Sequence, residues 1–241
     1  MLERYMNTLN LKAMKYVHID NHKLSLTVYG TEFLILQSSE GLNLIPLAES
    51  IYQANLLFAE EVIGTEKEIC IKLANDFDIK AKELLTSIKT EKKQSQKIYT
   101  LPVFFNEHKD WANLEAYSKK SRGEIINEMV SRTFQFHMYG FLPGFLYIKG
   151  LPEYLHCPRK SVPEKRVEAG TLAIGGPYLG YYSNPSPGGW HSVGSCALKV
   201  FDKTSLPPVK IQQGDALKLV SIPEKEHQIL LTKNLQLTEY G

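Results

Sequence analysis

Two arginines in one short segment are the side chains best suited to bind an anion. Arg159 and Arg166 lie in Pro158–Arg166, which reads PRKSVPEKR. A guanidinium group presents a planar fork of N–H donors that matches a carboxylate or a phosphate. If the glycine-rich segments on either side fold over this stretch, both arginines line one pocket; solvated surface charge is the alternative interpretation.

The first of these glycine-rich segments, Tyr139–Phe145, reads YGFLPGF. Its glycines permit backbone conformations that other residues avoid, its proline fixes one torsion angle, and its two phenylalanines are available as anchors. Two interpretations stay open: a barrel-end turn held by aromatic packing, and a loop that contacts a ligand. The candidate substrate-binding residues of this segment are Gly140, Phe141, Pro143 and Gly144.

The second segment, Ser186–Trp190, reads SPGGW and follows three further glycines. Paired glycines expose backbone N–H groups and let an anion or another backbone approach closely. The spacing fits neither the dinucleotide fingerprint nor the P-loop, because no Gly-Lys-Ser/Thr follows. We expect Trp190 to be either a core plug or a stacking platform. The candidate substrate-binding residues here are Pro187, Gly188, Gly189 and Trp190.

No self-evident catalytic machinery accompanies these segments. Three histidines near them lack metal-ligand spacing with another histidine, cysteine or carboxylate, and no Gly-x-Ser-x-Gly elbow occurs. A catalytic triad is not readable from spacing, because its members meet only in the fold. We therefore assign no catalytic residue and expect no metal site.

Composition and charge argue against several classes of protein. The chain has 28 basic and 26 acidic residues, a balance that argues against a protein built to bind nucleic-acid phosphates. No apolar run approaches the ~20 residues that span a bilayer, and Met1–Asp20 lacks the apolar core of a signal peptide. Three unpaired cysteines fit a reducing compartment. We expect a cytoplasmic protein that binds neither membrane nor nucleic acid.

A polar stretch, Lys89–Lys97, divides the chain into predicted domains 1–92 and 93–241. Apolar periodicity before it predicts a small two-layer α+β sandwich. The predicted strands are Leu24–Tyr29, Phe33–Gln37, Glu61–Ile63 and Glu68–Leu73, and the predicted helices are Ile45–Phe58 and Asp78–Ile88.

The second domain begins with a predicted strand, Lys97–Phe105, in which Pro102 suggests a sheet edge. Two helices follow, Trp111–Lys119 and Arg122–Arg132, and Ser121 with Glu124 has the spacing of a capping box. From Phe134 onward, short apolar runs separated by glycine and proline predict an all-β barrel or sandwich. These runs include Thr171–Ile174, Ala197–Phe201 and Ala216–Val220.

An ordered set of short motifs resembles the allophanate hydrolase subunit 1 family, which includes the B subunit of bacterial 5-oxoprolinase and the sporulation kinase inhibitor KipI. The resemblance is strong from about Leu101 to Ile222 and covers the first hundred residues only in layout. The motifs are Leu101-Pro102-Val103, Gly140–Phe145, Gly150-Leu151-Pro152, Pro158-Arg159, Arg166-Val167, Ala169-Gly170, Ser186–Trp190, Gly194, Phe201-Asp202 and Gly214-Asp215.

This resemblance implies a cyclophilin-like β-barrel behind a smaller α+β domain. It also implies a non-autonomous protein that works with the C subunit of 5-oxoprolinase (similar to allophanate hydrolase subunit 2) and a third component. Such an assembly opens 5-oxoproline to glutamate with ATP, which is bound through the assembled complex. The alternative is a protein that docks on a histidine kinase and blocks its autophosphorylation. A peptide-binding or prolyl-isomerase-like role is suggested only by analogy with the barrel.

The chain departs from the family pattern at several polar positions, which implies a retained scaffold with an altered site. Met129 stands where the family usually carries a histidine, and Glu164 replaces a usual second arginine. The other replaced positions are Tyr178, Leu179, Tyr181, Ser183, Ser195, Cys196 and Ala197.

Overall fold

The computed structural model describes residues 15–20, 22–74, 77–90, 96–205 and 207–240. The chain divides into two compact units, residues 1–94 and 95–241. The boundary between residues 92 and 93 that the sequence predicts lies outside the described residues.

The described residues of the first unit form one antiparallel sheet with two helices, in agreement with the predicted α+β layout. The strands pair in the order β1-β2-β3-β5-β4. Alternate residues of the central strands are buried, so one face of the sheet packs beneath the helices. The strands are β1 Tyr16–Ile19, β2 His22–Tyr29, β3 Phe33–Ser38, β4 Ala59–Gly64 and β5 Glu68–Leu73, and the helices are α1 Ile45–Gln53 and α2 Ile79–Thr86.

Helix α1 is shorter than the predicted span Ile45–Phe58. It ends at Gln53, and Asn55 adopts a left-handed conformation with φ 46°, which stops the helix. Phe58 still packs in the core, where its ring meets that of Phe77 edge to face at 5.5 Å. The helical spacing of apolar residues continues past Gln53 because Phe58, which lies in the following loop, also packs in the core.

The second unit is built on a closed barrel, which decides between the predicted barrel and the predicted sandwich. Seven strands close it in the order β10-β11-β8-β7-β14-β6-β13, while β9 and β12 form a separate two-stranded ribbon. The strands are β6 Ile98–Phe104, β7 Thr133–Gly140, β8 Leu142–Lys149, β9 Glu164–Val167, β10 Thr171–Gly175, β11 Tyr178–Tyr181, β12 Ser186–Gly188, β13 His191–Cys196 and β14 Ala216–Ser221.

The helices of this unit are α3 Asp110–Ser118, α4 Arg122–Ser131 and α5 Glu224–Lys233, with 3₁₀ turns at Glu153–Leu155 and Leu237–Glu239. The predicted capping box is confirmed, since Ser121 N donates to Glu124 Oε2 at 2.9 Å and Glu124 N donates to Ser121 Oγ. Hydrogen bonds to the Glu124 carboxylate from the backbone N–H and the hydroxyl of Ser121, and then from Lys120, lower the pKa of Glu124 to about 2. Among the described helices, none has both the length and the apolar character needed to cross a membrane.

Two expectations for the second unit are wrong. Strand β6 is not an edge, because it lies between β13 and β14. Pro102 lies opposite Val220 of β14, but the carbonyls of Lys97 and Val103 accept N–H groups at the two ends of β14, so the Pro102 nitrogen faces β13. Pairing with β13 involves only Val103 and Phe104, so the missing N–H of Pro102 interrupts no ladder. The run Ala197–Phe201 is not a strand; apart from an isolated bridge at Lys199, it contributes buried side chains to the barrel core from an irregular segment.

Candidate functional site

Six aromatic side chains form a patch on the outer face of the barrel. In strand β8, Phe145 and Tyr147 alternate with Leu146 and Ile148, which fill the barrel core, so the two aromatic rings lie on the opposite face. The ring of Phe145 meets that of Trp190 edge to face at 5.5 Å. We name this set the aromatic patch: Phe141, Phe145, Tyr147, Tyr178, Tyr182 and Trp190.

Trp190 is a core plug, as one of the two predicted alternatives holds. Only 5% of it is exposed, and two strand glycines make room for its indole. A Cβ added at Gly175 would lie 2.4 Å from the indole, and one at Gly180 would lie 2.5 Å from it. These glycines therefore serve close packing.

The ribbon of strands β9 and β12 contributes to the same packed cluster. Val167 of β9 is buried in it, and Gly188 of β12 lies opposite Glu164. A Cβ at Gly188 would fall 2.4 Å from the hydroxyl of Tyr182. Of the other predicted contact residues in this segment, Pro187 is exposed, while the carbonyl of Gly189 accepts the N–H of Lys160 at 2.7 Å.

The segment around Phe141 is a tight turn between β7 and β8, so the barrel-end turn interpretation is right. Phe141 has φ 62°, which is unusual for a bulky residue, and 60% of it is exposed. Its ring meets those of Phe145 and Tyr182 edge to face, at 5.4 Å and 6.2 Å. Backbone strain of this kind concentrates at functional sites.

Polar side chains from a neighbouring segment fix this turn. The carbonyl of Pro143 accepts hydrogen bonds from Ser183 Oγ at 2.6 Å and from Asn184 Nδ2 at 3.0 Å. Gly144 has φ 75°, and a Cβ there would lie 2.5 Å from the Cβ of Phe201. The turn is thus held from both sides, which keeps the exposed Phe141 in place.

Arg159 lies at the aromatic patch. Its guanidinium carbon is 5.6 Å from the ring centroid of Trp190, a cation–π geometry. Burial raises the pKa of Tyr147, and raises that of Tyr182 to about 12, while the charge of Arg159 partly offsets both effects. Both phenols therefore stay neutral beside an exposed cation that can meet an anion.

Arg166 is engaged elsewhere. Its Nε donates to Glu168 Oε1 at 2.5 Å and its Nη2 to Oε2 at 3.2 Å, and 66% of the side chain is exposed. The sharing of one pocket by Arg159 and Arg166 stays a prediction, and Arg166 would have to leave Glu168 to take part.

A cavity of about 560 Å³ contains a cluster of charged side chains. We name it the charged cleft, and its lining residues are Lys109, Asp110, Asn113, Lys160, Ser161, Val162, Pro163, Glu164 and His191. The Oδ2 of Asp110, which is 1% exposed, accepts hydrogen bonds at 2.8 Å from Lys160 Nζ and from the backbone N–H of Ser192. A buried ion pair requires such additional donors to offset the loss of hydration.

Glu164 completes the cluster by bridging two lysines. Its Oε1 lies 2.7 Å from the Nζ of Lys109 and 3.3 Å from the Nζ of Lys160. Hydrogen bonds from Lys109 and then from Lys160 hold the pKa of Glu164 below its usual range. The same carboxylate raises the pKa of Lys109.

Sequence reasoning missed the charged cleft. Asp110 is 50 residues from Lys160 and 82 residues from Ser192, so no spacing rule connects them. The nearest signal was Lys160 itself, which adjoins Arg159 in the segment that the sequence singled out.

A serine and a histidine also meet in the fold. Ser195 Oγ lies 3.0 Å from His227 Nε2, and burial lowers the pKa of His227. The Nδ1 of His227 has no hydrogen-bond partner among the described residues, so the structure shows no third member of a triad. Within the same part of the chain, no group of three or more histidine, cysteine, aspartate or glutamate residues is placed to hold a metal ion.

Solved structures share this fold. The chain aligns with TTHA0988 at a TM-score of 0.69 and 22% identity, over 79% of this chain and 40% of that one. It aligns with the Kluyveromyces lactis urea amidolyase at a TM-score of 0.64 and 17% identity, over 90% of this chain and 16% of that one. A conserved uncharacterized protein from Pyrococcus horikoshii gives 0.52 and 24%, over 84% of this chain and 99% of that one. At these identities the likeness concerns the fold alone.

Three bacterial proteins, each named as the B subunit of 5-oxoprolinase, are similar in sequence. Identity is 37% over 117 residues with the Escherichia coli O157:H7 protein, 34% over 122 with that of Haemophilus influenzae, and 30% over 147 with that of Bacillus subtilis. The matches cover 48%, 50% and 60% of this chain. They span 53%, 57% and 61% of the relatives' lengths, little more than half of each.

The family described as carboxyltransferase domain, subdomain C and D, matches residues 43–211, which is more than half of the chain. Together with the three relatives, this match confirms the family resemblance found in the sequence motifs. The chain belongs to the family of the carboxyltransferase domain, subdomain C and D.

Proposed function

We propose that the chain is the B-type subunit of a heteromeric, ATP-dependent 5-oxoprolinase that opens 5-oxoproline to glutamate together with a C-type partner subunit. The observation that carries this proposal is the 30–37% identity with three proteins named as the B subunit of 5-oxoprolinase. The substrate, the partner and the use of ATP are parts of the proposal.

Arg159 is the residue that we propose to bind the substrate carboxylate. 5-Oxoproline carries one carboxylate, and a guanidinium matches that group with two parallel hydrogen bonds. The cation–π contact with Trp190 positions the guanidinium group of Arg159, while the residue stays exposed. A cation fixed in this way loses little conformational freedom when it binds an anion.

Phe141 is the residue that we propose to contact the partner subunit. It is 60% exposed at the tip of a turn whose backbone is fixed on both sides, and large aromatic side chains are typical anchors of protein interfaces. The left-handed backbone of Phe141, with φ 62°, costs free energy, and the fold by itself does not require a bulky residue at this position.

ATP would be handled by the complete assembly. A ring amide resists hydrolysis, so coupling its opening to ATP gives the reaction a driving force. The chain carries no P-loop or dinucleotide fingerprint, so we assign no nucleotide contact to a residue of this chain. Charge that develops on substrate oxygens requires fixed donors, which Arg159 can provide at the aromatic patch.

Reconstitution tests the proposal. The chain and a candidate C-type partner are purified separately and together, and glutamate release from 5-oxoproline is measured with and without ATP and with the third component. We expect turnover only from the combined proteins with ATP. The absence of a complex on gel filtration, together with no glutamate release, would reject the proposal.

The role as an inhibitor of a histidine kinase stays a prediction. The same purified chain, added in excess to a kinase autophosphorylation assay, separates the two roles. Inhibition of the kinase together with a lack of glutamate release would favour the regulatory role over the enzymatic one.

A further inference from the structure

The charged cleft holds a carboxylate between two ammonium groups. Glu164 supplies this carboxylate, and one of its oxygens lies within 3.3 Å of the Nζ atoms of both Lys109 and Lys160. Such charge-assisted hydrogen bonds are among the stronger ones in proteins. The Glu164 side chain therefore marks the position at which the carboxylate of a ligand would bind.

Asp110 keeps one of these lysines in place whether or not Glu164 is present. The Nζ of Lys160 donates to Asp110 at 2.8 Å, and the backbone N–H of Ser192 fixes that aspartate. An ammonium group has three N–H donors, so Lys160 can bind Asp110 and still donate to a second carboxylate. The cleft thus contains one anchored cation whose side chain is only 10% exposed.

Glu164 is the movable member of the cluster. Its side chain is 28% exposed, and it begins strand β9, which belongs to a two-stranded ribbon with an irregular register. Lys109, on the open side, is 70% exposed, so it can follow an incoming anion. The ion pair of Glu164 with Lys109 is close to the surface, where such a pair contributes little to stability, so its exchange for a ligand costs little.

We propose that the charged cleft binds a small organic carboxylate between Lys109 and Lys160, in the place that the Glu164 side chain occupies. The cavity volume of about 560 Å³ is within the usual size of small-molecule sites, which is about 300–1,000 Å³. None of its lining residues belongs to the aromatic patch, so this site does not depend on the proposed function. Glu164 acts as a built-in competitor that sets the ligand affinity.

The test is a titration of ¹⁵N-labelled protein with acetate, followed at the amides of Ser161 and Ser192 and at constant ionic strength with chloride. We expect Glu164→Gln to bind acetate about five- to tenfold more tightly than the native chain, because the competing carboxylate is gone. Glu168→Gln, which removes a carboxylate just after the end of strand β9, should bind as the native chain does.

A second variant keeps the test decisive. Lys109→Met in the Glu164→Gln background removes one of the two ammonium groups at an exposed position and should return the affinity to the native value or below. Equal acetate affinities of native and Glu164→Gln protein would overturn the proposal. Tighter binding of inorganic phosphate than of acetate would overturn the ligand class.

Discussion

Lys160 Nζ lies 2.8 Å from Oδ2 of Asp110, and both side chains are almost fully buried. This contact ties the segment that carries Arg159 to the start of helix α3, and Ser192 adds strand β13 to the same carboxylate. A single aspartate therefore connects helix α3, the segment that carries Arg159 and strand β13.

Breaking this buried pair should destabilise the protein strongly. We expect Asp110→Asn to lower the free energy of unfolding by about 3 kcal/mol, because it leaves the Lys160 ammonium without its buried counter-ion. Chemical denaturation of the native protein and the variant measures this difference. Replacing both residues, Asp110→Asn with Lys160→Met, should cost less than the sum of the two single variants; strict additivity would argue against a coupled pair.

The turn at Phe141 should depend differently on its two phenylalanines. Phe145→Ala should cost about 3–5 kcal/mol, because Phe145 is 1% exposed. Phe141→Gly should change stability by no more than about 1 kcal/mol, because relief of the left-handed backbone strain offsets the lost ring contacts. Thermal unfolding checks both values. Phe141→Gly should nevertheless reduce copurification with the proposed partner subunit, and unchanged copurification would remove Phe141 from the proposed interface.

Two glycines with similar backbone angles should differ in their tolerance of a methyl group. Gly144 has φ 75° and a neighbour 2.5 Å from an added Cβ, while Gly176 has φ 60° and nothing within 4 Å. We expect Gly144→Ala to cost about 2–4 kcal/mol from strain and overpacking together, and Gly176→Ala about 1 kcal/mol from strain alone. Denaturation midpoints compare them, and equal losses would mean that the contact with Phe201 yields easily.

His227 should make stability depend on pH. Burial holds its pKa below the usual 6.5, so the unfolded chain binds a proton first as the pH falls. The contribution of neutral His227 to the free energy of unfolding is therefore fully present above about pH 7. It decreases as the pH falls through 6.5 towards the folded pKa. His227→Gln should flatten the pH dependence of the melting temperature in this range. A slope unchanged in His227→Gln would contradict this assignment.

Much of the fold could be predicted from local signals. The bounds of strand β5 match the predicted Glu68–Leu73, and the capping box of Ser121 and Glu124 marks the start of helix α4. These features depend on side chains close in sequence. The closure of the barrel does not, because strand β6 pairs in parallel with β14, near the other end of the chain. Local periodicity carries no information on such pairing.

The candidate site could be predicted from the sequence only where glycine and proline motifs or the guanidinium group of an arginine marked it. The glycine and proline motifs indicated the turn at Phe141 and the packing around Trp190, and Arg159 was chosen for its guanidinium. The ion pair of Arg166 with Glu168 and the Asp110–Lys160 contact depend on side-chain positions in the fold. Residue type alone does not distinguish an arginine at an aromatic patch from one held by a neighbouring acid.

The proposed binding of the substrate carboxylate by Arg159 is best tested through ATP-dependent glutamate release by the complex of this chain with the proposed C-type partner. We predict that Arg159→Met raises the KM for 5-oxoproline at least tenfold, a loss typical of a charged hydrogen bond, while the complex still assembles. Lys165→Met, an exposed cation in strand β9, should leave KM unchanged. A KM for Arg159→Met equal to that of the native complex would contradict the proposed role of this arginine.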